Sequence, residues 1–183
     1  MKEFYQKHKQ IIVFLLRALG IYLAWSLLYD GWLYEDKRVD ALLVKHLISS
    51  SSALLQFTGY TVYTQVGLIG ITEPSVLVVS PSCDGLSLFV LFAGFIIAYP
   101  GKWKQKFIFI PIGLLIIDAL NVLRIAALVL IVYKKPQWLE FNHSYTFTLI
   151  MYLIIFGLWM WWIKRTNLVV RGKKMKVSEK AND

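Results

Sequence analysis

The 183-residue chain is 57% hydrophobic and only 17% charged, with a mean hydropathy of +0.57, a composition that excludes an ordinary water-soluble enzyme. Its net charge of +9 gathers at the ends of apolar runs, which points to lipid headgroups and not to nucleic acid as the partner. The single cysteine, Cys83, excludes an intrachain disulfide, a cysteine-cluster metal site and a Cys-x-x-Cys redox pair.

Residues 11–29 form the first run long enough to cross a bilayer, which takes about 20 apolar residues. Arg17 lies inside it, where it can snorkel to the inner headgroups. Ala24-Trp25-Ser26 offers a small-x-small cleavage pattern, but Arg17 splits the run and apolar residues continue to Tyr29, so the segment reads as a retained span.

Residues 30–82 form the one sizeable region outside the spans. Between 40 and 57, leucines alternate with Lys45, His46 and the serines at 49–52, which predicts a helix along the membrane or packed on the others. The period then changes. Residues 59–66, 68–72 and 76–79 are rich in β-branched and aromatic side chains and are punctuated by Gly67, Gly70 and Pro74, predicting a small outward β-hairpin or three-strand patch.

A short apolar run at 86–99 lies between Cys83-Asp84-Gly85 and Pro100-Gly101-Lys102, and can span if its ends meet polar or protein-lined surroundings. Longer runs follow at 107–133 and 144–163, and residues 164–183 make a basic tail without hydrophobic periodicity that reads as an unstructured, lipid-facing segment. The predicted fold is an all-α polytopic membrane protein of about four transmembrane helices, with an interfacial helix and the β-hairpin region added: one integral domain over 1–163 and a tail. Lys102, Lys104 and Lys106 share a side with the basic clusters at both ends of the chain, whereas Glu35, Asp36, Asp40, Glu73 and Glu140 fall on the other. Cytoplasmic loops retain Lys and Arg, so both termini are expected in the cytoplasm.

Two charges interrupt the 107–133 run, Asp118 and Arg124, and charge at membrane depth calls for a reason. With Asn121 they fall at successive i+3 spacings on one helix face. Orientation carries Arg124 to the outer part of its span, where Cys83 opens one span and His143 opens another. Singly these are a packing cysteine, a capping histidine and an Asp–Arg structural pair; His8 and His46 keep such ordinary readings. Together they supply what acyl transfer needs: a thiol nucleophile, a base to take its proton, and a cationic donor for the developing oxyanion.

PSCDGLS at 81–87, NVLRIAAL at 121–128 and the later His143 resemble the exosortase/archaeosortase family, and among its compact members the F-type exosortases. The matching elements are Cys83 with Gly85, Arg124 with Asn121, and His143; the resemblance covers roughly residues 76–163. Asp84 stands where many relatives carry a small residue, and the chain is shorter than the eight-span forms. The resemblance implies a membrane cysteine protease or transpeptidase of the bacterial cytoplasmic membrane, with its active site on the outer face. Its partner would be a membrane-anchored protein substrate ending in a tripartite sorting signal: a short motif, a hydrophobic span and a basic cluster. Cys83, Arg124 and His143 are the expected catalytic set, and Asp118 and Asn121 the groups expected to hold Arg124; no cofactor or metal is implied. The competing reading is a noncatalytic assembly or transport component with a structural Asp118–Arg124 pair. An intramembrane cysteine acyltransferase is weaker, because no acyl-carrier or headgroup signature is present.

Overall fold

The computed structural model describes residues 2–29, 31, 38–72, 75–80, 83 and 85–180, with side chains described within 12–166. The predicted outward region therefore lies outside the described residues at 30, 32–37, 73–74 and 81–82, as do Asp84 and the last three residues of the tail.

Helix dominates, at 81% of the described residues, so packed apolar helices set the architecture and the sheet is an insertion between them. The elements are α1 (Lys2–Leu28), α2 (Arg38–Phe57), β1 (Tyr63–Gln65), β2 (Leu68–Thr72), β3 (Ser75–Val78), α3 (Leu86–Ala98), α4 (Trp103–Lys134) and α5 (Phe147–Lys180). Between α4 and α5 the chain makes a 3-10 turn at Pro136–Trp138, a helical turn at Leu139–Phe141 and a π-helical turn at Asn142–Thr146.

Among the described residues, two helical stretches are long and apolar enough to cross a membrane, Trp103–Lys134 and Pro136–Thr166, with shorter apolar helices at Ile12–Leu28 and Leu86–Ala98. The short α3 matches the expected 86–99 run and ends where its carbonyls would lack partners. Lys106 supplies them: its Nζ donates to Ile97 O at 2.8 Å and Tyr99 O at 2.7 Å, and the lysine is buried. A cation at a helix C-terminus also meets the negative end of the helix dipole.

Helix α4 returns alongside α3 so closely that a Cβ at Gly113 would lie 2.1 Å from Phe92. Phe92, Ile96, Phe109, Ile117, Met151, Ile155, Leu158 and Trp162 form one buried cluster joining α3, α4 and α5. Aromatic contacts tie the first helix to it. Phe14 meets Phe95 edge-on at 5.3 Å, and Phe95 stacks on Trp159 at 4.3 Å.

The predicted strand region is a three-stranded antiparallel sheet in the order β1-β2-β3. Its register pairs Ile69 with both Thr64 and Leu77, and a bulge falls between Gly70 and Thr72. Only glycine fits at position 70, since a Cβ there would lie 2.6 Å from Ser75 O. The sheet's apolar side, with Ile69 and Leu77, packs with Val44, Ile48 and Leu55 of α2 and Ile125, Leu128 and Val129 of α4 in a second buried cluster. Helix α2 is thus seated on α4, not merely laid along a surface; Ser51 is buried and donates to Val122 O at 3.1 Å.

The basic C-terminal segment departs from the unstructured tail expected of it: α5 runs through Lys180. Extending an existing helix costs far less than nucleating one, and residues 164–180 contain no proline to stop it.

Candidate functional site

Cys83 belongs to the second buried cluster, at 5% exposure, packed with Val79 and with Ile125, Ala126 and Val129 of α4. A tight turn presents it. The Cys83 amide donates to Ser80 O at 2.9 Å, and Ser80 Oγ lies 3.8 Å from Cys83 Sγ. Gly85 then adopts φ 83° as the N-cap of α3, a left-handed conformation that favours glycine. Space imposes the same choice, because a Cβ on Gly85 would lie 2.8 Å from Asn121 Nδ2.

Asn121 is fully buried and donates from Nδ2 to Cys83 O at 3.0 Å. Its partner is therefore the cysteine's own backbone, where sequence reasoning expected Arg124. Asp118 also turns elsewhere: its Oδ2 lies 3.0 Å from His46 Nε2, on the side of α4 that faces α2. This contact links residues 72 positions apart, and no spacing in the sequence signals it.

His143 comes from the far end of the chain. The π-helical turn at Asn142–Thr146 carries it, and Thr148 Oγ1 donates to His143 O at 3.1 Å, fixing the turn against the start of α5. Single π turns inside helices recur at functional sites. Here the turn leaves His143 Nε2 3.2 Å from Cys83 Sγ, within reach of direct proton transfer between thiol and imidazole.

Arg124 lies one turn beyond Asn121 on α4. It lines, with Gly85, Ser87, His143, Thr148 and Tyr152, a cavity of about 430 Å³ between α3, α4 and α5. Its Nε is buried with no hydrogen-bond partner among the described residues, leaving a charged donor uncommitted at the cavity wall. The structure thus brings Cys83 to His143, sets His143 and Arg124 in one cavity wall, and attaches Asn121 to the cysteine turn. A larger cavity of about 920 Å³ lies between α2 and the β1–β2 hairpin, lined among others by Asp40, Lys45, Ser52 and Gln65. Its lining includes no imidazole, whereas the smaller cavity is lined by His143, the neighbour of Cys83.

The family model for transmembrane exosortase (Exosortase_EpsH) matches residues 8–161, and the chain belongs to that family. Comparison with curated proteins and with solved structures finds no significant match. Family membership and the apolar helices support a membrane location. At family level they support an enzyme that processes sorting signals, in a family that is generally cysteine transpeptidase-like and acts on substrates with C-terminal sorting signals within the membrane.

Proposed function

We propose that the chain is a membrane cysteine peptidase or transpeptidase that cleaves C-terminal tripartite sorting signals at the outer face of the cytoplasmic membrane, through Cys83, His143 and Arg124. The observation that carries this reading is the 3.2 Å approach of Cys83 Sγ to His143 Nε2 beside a cavity that Arg124 lines.

In the first step Cys83 Sγ attacks the scissile carbonyl carbon as its proton passes to His143 Nε2. The carbonyl oxygen becomes an oxyanion, and the Arg124 guanidinium is the donor available to it. The C–N bond then breaks, His143 returns the proton to the leaving amine, and a Cys83 thioester remains. An amine or water attacks that thioester, gives its proton to His143, and releases the thiol. Asn121 and Gly85 serve this chemistry by holding the backbone turn that aims Cys83, a positioning role distinct from any contact with the reacting atoms.

The chain crosses the membrane four times in this reading, at about 11–29, 86–99, 107–133 and 144–163, with both termini in the cytoplasm. An impermeant maleimide tests that placement: in a Cys83→Ala background, Gln137→Cys should label from the outer side and Lys104→Cys only after permeabilisation, and the reverse pattern would overturn it. The noncatalytic alternative relied on an Asp118–Arg124 pair, whereas Asp118 contacts His46.

Capture of the thioester tests the chemistry. Purified enzyme mixed with a tripartite-tailed substrate should yield a hydroxylamine-sensitive adduct that maps to Cys83. An adduct of the same sensitivity that persists in Cys83→Ala would move the nucleophile elsewhere.

A further inference from the structure

A second concavity adjoins the cavity of Arg124 and His143 on the apolar flank of the molecule. A groove of about 360 Å³ runs over α3 between α1 and α5, lined by Ala18, Tyr22 and Trp25 of α1, Leu91 and Gly94 of α3, and Trp159 of α5, among others. Ser87, Leu88 and Tyr152 line both this groove and the cavity that holds Arg124 and His143. The two adjoin at those residues.

We infer that this groove docks the transmembrane helix of the substrate's sorting signal and delivers the residues just outside that helix to Cys83. The inference rests on the function proposed above. Three observations support this occupant over any other. The groove wall is mainly apolar, and Tyr22, Leu91 and Tyr152 remain exposed to 65%, 42% and 51%, so none of the described residues covers them. Small residues at Ala18, Ser87 and Gly94 lower the wall, and small residues are what let helix backbones approach in lipid, where no hydrophobic force drives association. The groove also borders the cavity that His143 lines, at Ser87, Leu88 and Tyr152, so a helix seated in it would end beside the thiol–imidazole pair. Its volume suits the side chains of one helix face, which is how a single span would lie against α3.

The occupant's span is the part of a sorting signal that a membrane enzyme meets first, by lateral diffusion. Docking it before the scissile bond arrives makes the cleavage effectively intramolecular.

Photocrosslinking tests the inference directly. A benzophenone side chain is placed at Tyr22, at Leu91 or at Leu115, an α4 residue exposed to 68% that lines neither the groove nor the cavity, all in full-length Cys83→Ala enzyme in native membranes. With a C-terminally tagged tripartite-tailed protein co-expressed, substrate adducts are expected from positions 22 and 91 and not from 115. Lipid adducts alone at 22 and 91, or equal substrate yield at 115, would overturn the docking site. A kinetic arm uses purified enzyme of verified abundance: Leu91→Trp, which fills the groove, should raise KM several-fold with kcat nearly unchanged, and an unchanged KM would count equally against it. Capture needs no chemistry, so the two readings fail separately. Absent adducts with processing blocked by Cys83→Ala remove the dock and keep the nucleophile; adducts with processing intact in that variant do the reverse.

Discussion

Cys83 Sγ and His143 Nε2 stand 3.2 Å apart although 60 residues separate them in the chain, and the contact joins the turn before α3 to the π-helical turn before α5. Neither side chain needs to move to exchange a proton. General-base catalysis of this kind is worth about 10²–10⁴-fold. His143→Ala should therefore lower kcat/KM for substrate cleavage by that order and slow alkylation of Cys83 by iodoacetamide in parallel. Unchanged alkylation would show that the imidazole does not serve the thiol.

Arg124 offers an uncommitted buried donor at the cavity wall. Loss of one oxyanion donor typically costs about 10²–10³ in kcat. Arg124→Ala should fall by at least this much, with Arg124→Lys between it and wild type, because an ammonium keeps the charge and loses the planar fork. Single-turnover cleavage rates measure both; equal rates for the lysine variant and wild type would reduce Arg124 to a point charge.

Gly85 and Asn121 hold the Cys83 backbone jointly. Gly85→Ala must put a Cβ into a left-handed conformation, costing about 1–2 kcal/mol, and also 2.8 Å from Asn121 Nδ2. Asn121→Ala removes the donor to Cys83 O and leaves that buried carbonyl unpaired, at about 1–3 kcal/mol. Both variants should lower kcat more than they raise KM. Asn121→Asp, which keeps the shape and loses the donor, should resemble Asn121→Ala; wild-type kcat in Asn121→Asp would show that only the side chain's volume matters.

Lys106 belongs to the frame and not to the chemistry. Lys106→Met leaves Ile97 O and Tyr99 O without their donor at the end of α3, a loss of about 1–3 kcal/mol. Thermal unfolding in detergent should shift down accordingly, while the folded fraction keeps its specific activity. An unshifted midpoint would mean that water replaces the ammonium at no cost.

The features legible in the sequence were those set by local composition. Apolar length marked α4 and the α5 span, the change of period at 59–79 marked the sheet, and the order of Cys83, Arg124 and His143 supplied the residues proposed for the site. Contacts that depend on helix rotation were not legible. Asp118, Asn121 and Arg124 share a face by spacing, yet α4 packs between α2 and α3, so Asp118 meets His46 and Asn121 meets the Cys83 turn. The π-helical turn that carries His143 has no compositional signature, and Lys106 reads in sequence as one more loop cation although it is buried among carbonyls. The tail reads as unstructured because it is basic and lacks hydrophobic periodicity, whereas α5 continues through it to Lys180.

Processing of a C-terminally tagged, tripartite-tailed substrate by Cys83→Ala, at enzyme abundance equal to wild type, tests the central claim most directly. A cysteine nucleophile predicts that the uncleaved tagged form accumulates and no cleaved product appears. Cleavage at the wild-type rate would contradict it and return Cys83 to the packing role that its burial alone would suggest.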